Sequence, residues 1–239
     1  MYLLIDEKEG SYLIKGNLDL HTRYGIISCK ELVEKNPGDI IKSHTGFIFH
    51  VLNPNIVDYI KKAKKGPQSV TLKDCGLIVA HTGVHSGSRV VDAGTGSGIL
   101  AMFLSNIVNP EKLVTYEIRG DFAEIAKKNF EKAGIRNIEL KIRDIYEGID
   151  EKNLDLITLD LPEPWRVVKH ARKSLKIGGY LVSYSPSIEQ SKRLFDSLEG
   201  FQSETIECVT RNWDMKTVRP YSRMLAHTGF ITIARLIER

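Results

Sequence analysis

Cysteine is scarce: three in 239 residues, at Cys29, Cys75 and Cys208. The count is odd and no pair has C-x-x-C spacing, so the sequence offers no disulfide framework and no zinc or redox motif. A reduced, cytoplasmic chain without a bound metal is the expectation. No apolar stretch reaches membrane-spanning length, so no membrane partner is expected. The opening residues, MYLLIDEKEGSYLI, carry acids where a secretory leader carries bases, and their apolar run is short, so no leader is expected. Internal repeats and low-complexity segments are also missing.

Hydrophobic residues make up 42% of the chain and charged residues 27%, the balance of a soluble globular protein. The length fits one large domain, or an ordinary domain with a small one attached. A net charge of +4 permits a polyanionic partner. The bases cluster at Lys61-Lys62-Ala63-Lys64-Lys65, at Lys169-His170-Ala171-Arg172-Lys173 and between Arg211 and Arg223. One such cluster alone reads as a solvated face.

The stretch around which the chain is organised is Arg89-Val90-Val91-Asp92-Ala93-Gly94-Thr95-Gly96-Ser97-Gly98-Ile99-Leu100-Ala101. Val90 and Val91 begin a short β-branched run that suits a buried strand. Gly94, Gly96 and Gly98 then let the backbone turn sharply and approach a ligand. Ile99, Leu100, Met102, Phe103, Leu104, Ile107 and Val108 follow at helical spacing. A helix beginning beside a bare backbone presents free N–H groups and a positive dipole end. A dinucleotide fold has a third glycine at the position held here by Ile99. The observed Asp-x-Gly-x-Gly-x-Gly instead resembles the first motif of class I S-adenosylmethionine (SAM) methyltransferases.

Residues 1–65 read as a small β-rich domain and 66–239 as a second domain, with the boundary at Gly66-Pro67. In the first, short apolar runs at 2–5, 11–14, 25–27, 39–41 and 47–51 alternate with turn residues, which suggests a small barrel or meander. A short helix follows with Asn53 as cap and Pro54 at its first position. In the second, a helix runs from about Asp74 to Gly83. Strands at 89–93, 112–117, 138–142, 154–159 and 180–184 alternate with helices at 98–108, 121–133, about 165–176 and 187–198. Two late strands, near 203–209 and 229–235, have no helical pattern between them. Alternation predicts a mostly parallel sheet covered on both faces, and the late pair an antiparallel hairpin at one edge. This α/β layout is that of the class I methyltransferase (Rossmann-like) fold.

In such sheets ligands lie at the carboxyl ends of the strands. The first strand supplies Asp92 and the glycine turn. The second ends in Glu117, 19 residues after Gly98 and placed to accept from ribose hydroxyls. The third ends in Arg143-Asp144-Ile145, where Asp144 suits an adenine amino group and Ile145 the face of the base. The fourth ends in Asp160-Leu161-Pro162-Glu163-Pro164-Trp165, a loop stiffened by two prolines. Trp165 reads equally as a stacking surface or as packing at a helix start.

VVDAGTGSG, YEIR, IRD, LDLPEPW and RPYSRMLAHTGF together resemble the tRNA (adenine-N1)-methyltransferase family that acts on the T loop, in its archaeal and bacterial homotetrameric form. The likeness spans nearly the whole chain and includes GPQSVTLKD ahead of the glycine turn. Many family members carry glutamate where this chain has Asp92, and either acid can hold the loop. The resemblance implies SAM as cofactor, bound by residues matching Val70, Gly94, Thr95, Gly96, Ser97, Gly98, Glu117, Asp144, Ile145 and Asp160. It makes Asp160 the catalytic carboxylate. It implies tRNA as partner, adenine 58 as target with 57 as a second, and a homotetramer. His227, Arg223 and Tyr221 are candidates for the pocket rim. Two alternatives stay open on the residues alone: a small-molecule, corrin-type methyltransferase, and a non-catalytic RNA-binding subunit of the same fold.

Overall fold

The computed structural model describes residues 1–66, 69–224 and 226–239. Pro67 and Gln68, within the expected boundary, and Leu225, within the C-terminal motif, lie outside the described residues. Contacts divide the chain into two units, Met1–Ala63 and Lys64–Arg239.

In the first unit, β1 (Tyr2–Asp6), β2 (Ser11–Ile14), β5 (Ile40–Lys42) and β6 (Ile48–Leu52) form an antiparallel sheet in the order β2-β1-β6-β5. A hairpin of β3 (Leu20–Thr22) and β4 (Gly25–Ile27), and a single helical turn α1 (Cys29–Leu32), complete the unit's core. Leu4, Ile14, Ile27, Leu32, Ile41, Phe49 and Val51 are buried together. The five expected strands are present to within a residue at each end. Their order is not that of a meander, because β6 returns beside β1. The helix α2 (Ile56–Lys62) is capped by Asn55 rather than Asn53, and Pro54 stands outside it. Asn55 Oδ1 accepts from Val57 N and Asp58 N while Asp58 returns a carboxylate to Asn55 N, a reciprocal box that Asn53 is too far back to make.

The second unit begins with α3 (Leu72–Thr82), which stops at Gly83 in a left-handed conformation. Then follow β7 (Val90–Ala93), α4 (Ile99–Val108), β8 (Leu113–Glu117), α5 (Gly120–Ala133), β9 (Ile138–Ile142), β10 (Leu154–Leu159), α6 (Val168–Ser174), β11 (Leu175–Ser185), α7 (Ile188–Asp196) and β12 (Phe201–Glu207). A two-stranded ribbon, β13 (Trp213–Asp214) and β14 (Arg219–Pro220), precedes the last strand, β15 (Phe230–Leu236). The sheet order is β12-β15-β11-β10-β7-β8-β9. β7 to β11 are mutually parallel, and β15 runs antiparallel between β11 and β12. All four residues of β7 are buried, as expected of a parallel strand covered on both faces.

From β7 the chain steps outward to β8 and β9, then returns to the other side of β7 as β10. The switch in direction therefore falls between β7 and β10, where open α/β sheets place their ligand crevice.

Two expected boundaries are corrected. The helix expected over 165–176 is a 3-10 turn, Pro164–Val167, followed by α6, and it ends at Ser174. The strand expected from Tyr180 starts at Leu175: β11 pairs Leu175 with Leu154, then skips to Tyr180 opposite Leu156. Gly178, at φ +84, takes up the irregularity, and a Cβ on Gly179 would come within 2.8 Å of the Leu154 carbonyl. The Gly-Gly pair is a bulge inside the strand rather than a break before it. Among the described residues no helix is long and apolar enough to cross a membrane.

Candidate active site at the switch between β7 and β10

The turn after β7 is held from three sides. Thr95 N donates to the Tyr116 carbonyl of β8 (3.0 Å), and Gly98 N donates back to Thr95 O (2.8 Å). Asn129 of α5 donates from Nδ2 to Ser97 O (2.8 Å). Gly98 has φ +81, and a Cβ there would meet the Phe130 ring at 2.5 Å, so glycine is required both by conformation and by the approach of α5. Gly94 lies where a Cβ would face Asp160 O at 3.5 Å and Glu117 Oε2 at 3.7 Å. The glycine turn, the end of β8 and the end of β10 therefore meet at one point.

Beneath the turn is a buried polar chain. Asp92 accepts from Thr158 Oγ1 of β10 and from Thr115 Oγ1 of β8, each at 2.7 Å, and Thr115 also pairs with Thr95 Oγ1 at 2.6 Å. Burial pushes the Asp92 carboxyl up to about 6, against the pull of those two hydroxyls. Glu117 spans the turn: Oε2 accepts from Gly96 N (2.8 Å) and Oε1 from Arg119 N (2.9 Å).

Asp160 differs. Its backbone continues the β7–β10 pairing, with N donating to Ala93 O. Its carboxylate has no hydrogen bond or ion pair among the described residues; burial, then the charges of Asp92 and Glu117, push it up to about 7. The loop behind it is fixed, because Gln190 Nε2 of α7 donates to the Leu161 and Pro162 carbonyls and Glu163 N donates to Tyr146 Oη.

A narrow cavity of about 20 Å³ is lined by Ser69, Val70, Gly94, Thr95, Gly96, Ser97, Ile99, Leu100 and Asp160. Among the expected site residues the structure thus brings together Val70, the turn, Glu117 and Asp160. Asp144 stands one residue beyond Arg143, whose N donates to Glu117 O (3.0 Å). Asp144 Oδ1 caps the following 3-10 turn through Tyr146 N (2.8 Å). Ile145 is buried in the core cluster beneath the sheet. Of the rim candidates, Arg223 and Tyr221 are exposed and do not line the cavity. His227 is a clasp: Nδ1 faces Glu207 Oε1 (2.5 Å) and Nε2 faces Pro186 O (3.1 Å). Both partners are acceptors, which favours the doubly protonated ring, and the bond to Glu207 raises the imidazole above its ordinary value.

The residues next to His227 tie the C-terminal motif to α3, a link that the sequence does not suggest. Asp74, fully buried, accepts from Thr71 Oγ1 (2.8 Å), Lys73 Nζ (2.6 Å) and Thr228 Oγ1 (3.0 Å). Lys73 Nζ also reaches Thr228 Oγ1 (2.7 Å), and Tyr184 donates to the Thr228 carbonyl. A Cβ on Gly229 would enter the Tyr184 ring, so this glycine is demanded by close approach. Of the supporting residues, only Asn129 has a visible signal: it is a polar residue inside the apolar stripe of α5.

The sheet order, the glycine turn and the acids at the strand ends define a class I SAM-methyltransferase fold. The tRNA methyltransferase complex GCD14 subunit family matches residues 46–224 of this chain. A Methanocaldococcus jannaschii protein named tRNA (adenine(57)-N(1)/adenine(58)-N(1))-methyltransferase TrmI is 40% identical over 98% of this chain and 94% of its own. Among solved structures, a SAM-dependent O-methyltransferase of Thermotoga maritima superposes with a TM-score of 0.91 at 34% identity, covering 100% of this chain and 93% of that one. The tRNA (m1A58) methyltransferase TrmI of Aquifex aeolicus superposes with a TM-score of 0.84 over 100% and 97% of the two chains; at 24% identity it speaks for the fold. This chain belongs to the GCD14 family of tRNA methyltransferases.

Proposed function

We propose that the chain transfers the methyl group of SAM to N1 of adenine 58 in the tRNA T loop, with adenine 57 as a second target, and that it works as a cytoplasmic homotetramer. The observation that carries this reading is the meeting of Asp92, Glu117 and Asp160 around one glycine turn. A bare helix start attracts anions, but three carboxylates oppose one, so the site suits a cationic ligand better than a pyrophosphate. That is the charge of a sulfonium, and the residues fit it. SAM supplies an electrophilic methyl group when bound.

In this reading Gly94 to Gly98 and Val70 pack against the cofactor. Glu117 accepts from its ribose hydroxyls, Asp144 from its adenine amino group, and Ile145 backs the base. Asp160 receives the substrate. Adenine N1 attacks with its own lone pair and no proton leaves, so no general base is needed. Asp160 orients the flipped base by accepting from N6 and stabilises the positive charge the ring gains. The exposed apolar residues Trp213, Met215, Val218 and Met224 in and around the β13–β14 ribbon support self-association, which sedimentation velocity tests.

A second reading is favoured by one observation. A hydroxyl acceptor must lose a proton, and a carboxyl pushed up to about 7 is suited to take it; the Thermotoga maritima structure is named for O-methylation. One experiment separates the two. Unmodified tRNA is incubated with methyl-labelled SAM, digested, and its nucleosides are mapped. The label is expected as 1-methyladenosine at position 58. Label on ribose oxygen, or none on tRNA, overturns the proposal.

A further inference from the structure

The loop that carries Asp160 leads directly into a face made of aromatic rings and cations. Trp165 and Ser197 line two adjoining clefts of about 390 and 380 Å³. The first is also lined by Tyr146, Arg166, Lys169 and Arg172, the second by Arg193. Each cleft is within the size range that holds a small ligand. Arg193 lies over the Trp165 ring at 5.6 Å and Arg166 over the Tyr146 ring at 4.2 Å.

Charge on this face favours an anion. Its acids are already matched: Glu163 pairs with Arg166, Asp196 with Lys192 and Glu199 with Arg172. Lys169 and Arg193, both exposed, have no ion pair among the described residues. The rings are held in place. Tyr146 Oη accepts from Glu163 N (3.0 Å), and His170 Nε2 reaches the Tyr146 carbonyl (3.1 Å). Trp165 is half-buried against the core, with its remaining surface turned to the clefts.

We propose that this face is a landing site for unpaired RNA nucleotides beside the target base. Trp165 stacks one base, and Lys169 and Arg193 hold the neighbouring phosphates. The ranking of interactions supports the exchange. An exposed cation over a ring contributes less than a base stacked on the same ring. Arg193 therefore yields the Trp165 face to a base and turns its guanidinium to the phosphate. A protein partner is disfavoured by the surplus of cations once the acids are matched. The inference rests on the reading of the chain as an RNA methyltransferase.

The test uses tryptophan fluorescence, because the chain has only two tryptophans. In a Trp213→Phe background Trp165 is the sole tryptophan emitter. Two probes are used: a stem-loop RNA with an unpaired T loop, and a fully paired duplex of the same stem. Binding of each is followed in parallel by anisotropy. The stem-loop is expected to quench Trp165 saturably and the duplex to leave it unchanged. Trp165→Ala should weaken stem-loop binding by roughly five- to a hundred-fold, the range for loss of one stacked base, while Trp165→Phe keeps most of the affinity. Replacing both Lys169 and Arg193 with Ala should flatten the dependence of log Kd on log salt by about 1.4, two contacts at roughly 0.7 each. Saturable stem-loop binding without quenching, or with unchanged affinity in Trp165→Ala, overturns this inference and leaves the methyltransferase reading standing. Failure to bind either RNA overturns both. Tight binding of the duplex with equal quenching identifies a general phosphate surface and overturns the stacking role.

Discussion

Three acids meet at the same corner of the sheet, yet the protein treats them in two ways. Asp92 and Glu117, at the ends of β7 and β8, accept hydrogen bonds from the protein itself: two threonine hydroxyls for the first, two backbone amides for the second. Asp160, at the end of β10, has neither among the described residues. A half-buried carboxylate without a donor is costly, and its raised pKa is the measure of that cost. The two acids that already accept from the protein hold the turn in shape, Glu117 keeping lone pairs to spare for a ribose, and Asp160 keeps all of its acceptor capacity for a ligand. Substitution should therefore separate the two groups by the property it damages.

The largest effect should fall on turnover at β10. Asp160→Ala is expected to lower methyl transfer to tRNA by about a hundred-fold or more, the scale of losing one preorganised charge-stabilising group, with a smaller loss of SAM affinity and the thermal midpoint largely kept. The pH profile sharpens the point. In the proposed role the ionised carboxylate is the active form, and with its pKa raised to about 7, kcat/KM at low SAM should rise through that region. A bound sulfonium favours ionisation, so saturating SAM should move the rising limb to lower pH. A profile flat between pH 6 and 8 in the wild type would remove Asp160 from the charge-bearing role.

Asp92→Ala should do the opposite, harming stability first. It strands the Thr158 hydroxyl and one bond of Thr115 in the core, at a cost of roughly 3 kcal/mol; Asp92→Asn should restore more than half of it. Urea unfolding measures both. A loss under about 1 kcal/mol in the alanine variant would mean the buried chain does not brace the turn.

A smaller difference separates two glycines of that turn. Both have positive φ, Gly96 at +55 and Gly98 at +81. Nothing among the described residues lies within 4 Å of a Cβ on Gly96, whereas one on Gly98 meets Phe130 at 2.5 Å. Gly96→Ala should therefore cost only the left-handed penalty, about 1 kcal/mol, and Gly98→Ala about 1 kcal/mol more. Equal losses would show that α5 yields freely at Phe130.

These cases also show what the sequence made legible. β7, β8 and β10 announce themselves as short apolar runs, and the glycine turn and the acids at the strand ends follow from position alone. The braces do not. Thr95 and Thr115 are 20 residues apart, Asp92 and Thr158 are 66, and Asp74 and Thr228 are 154. A threonine inside a strand has no local sign of its partner. The same blindness moved the cap of α2 from Asn55 to Asn53, since both are asparagines near a proline. It also read the Gly178-Gly179 bulge as the start of a strand, because an irregularity within a pairing is defined by the partner strand.

The smallest effect should come from the antiparallel end of the sheet, where His227 clasps Glu207 and Pro186. This histidine is more than a third exposed, so its bond is screened by solvent. Its folded pKa is raised above the unfolded value near 6.5. A raised histidine pKa means that the clasp contributes fully below pH about 6.5 and that the contribution fades as pH rises through the folded value. Glu207→Gln removes the main cause of the shift while keeping the side chain's size. The thermal midpoints of wild type and variant should differ at pH 6 and converge in alkaline solution. A difference that persists unchanged at high pH would mean that Glu207 supports β12 by packing, with the imidazolium irrelevant to the clasp.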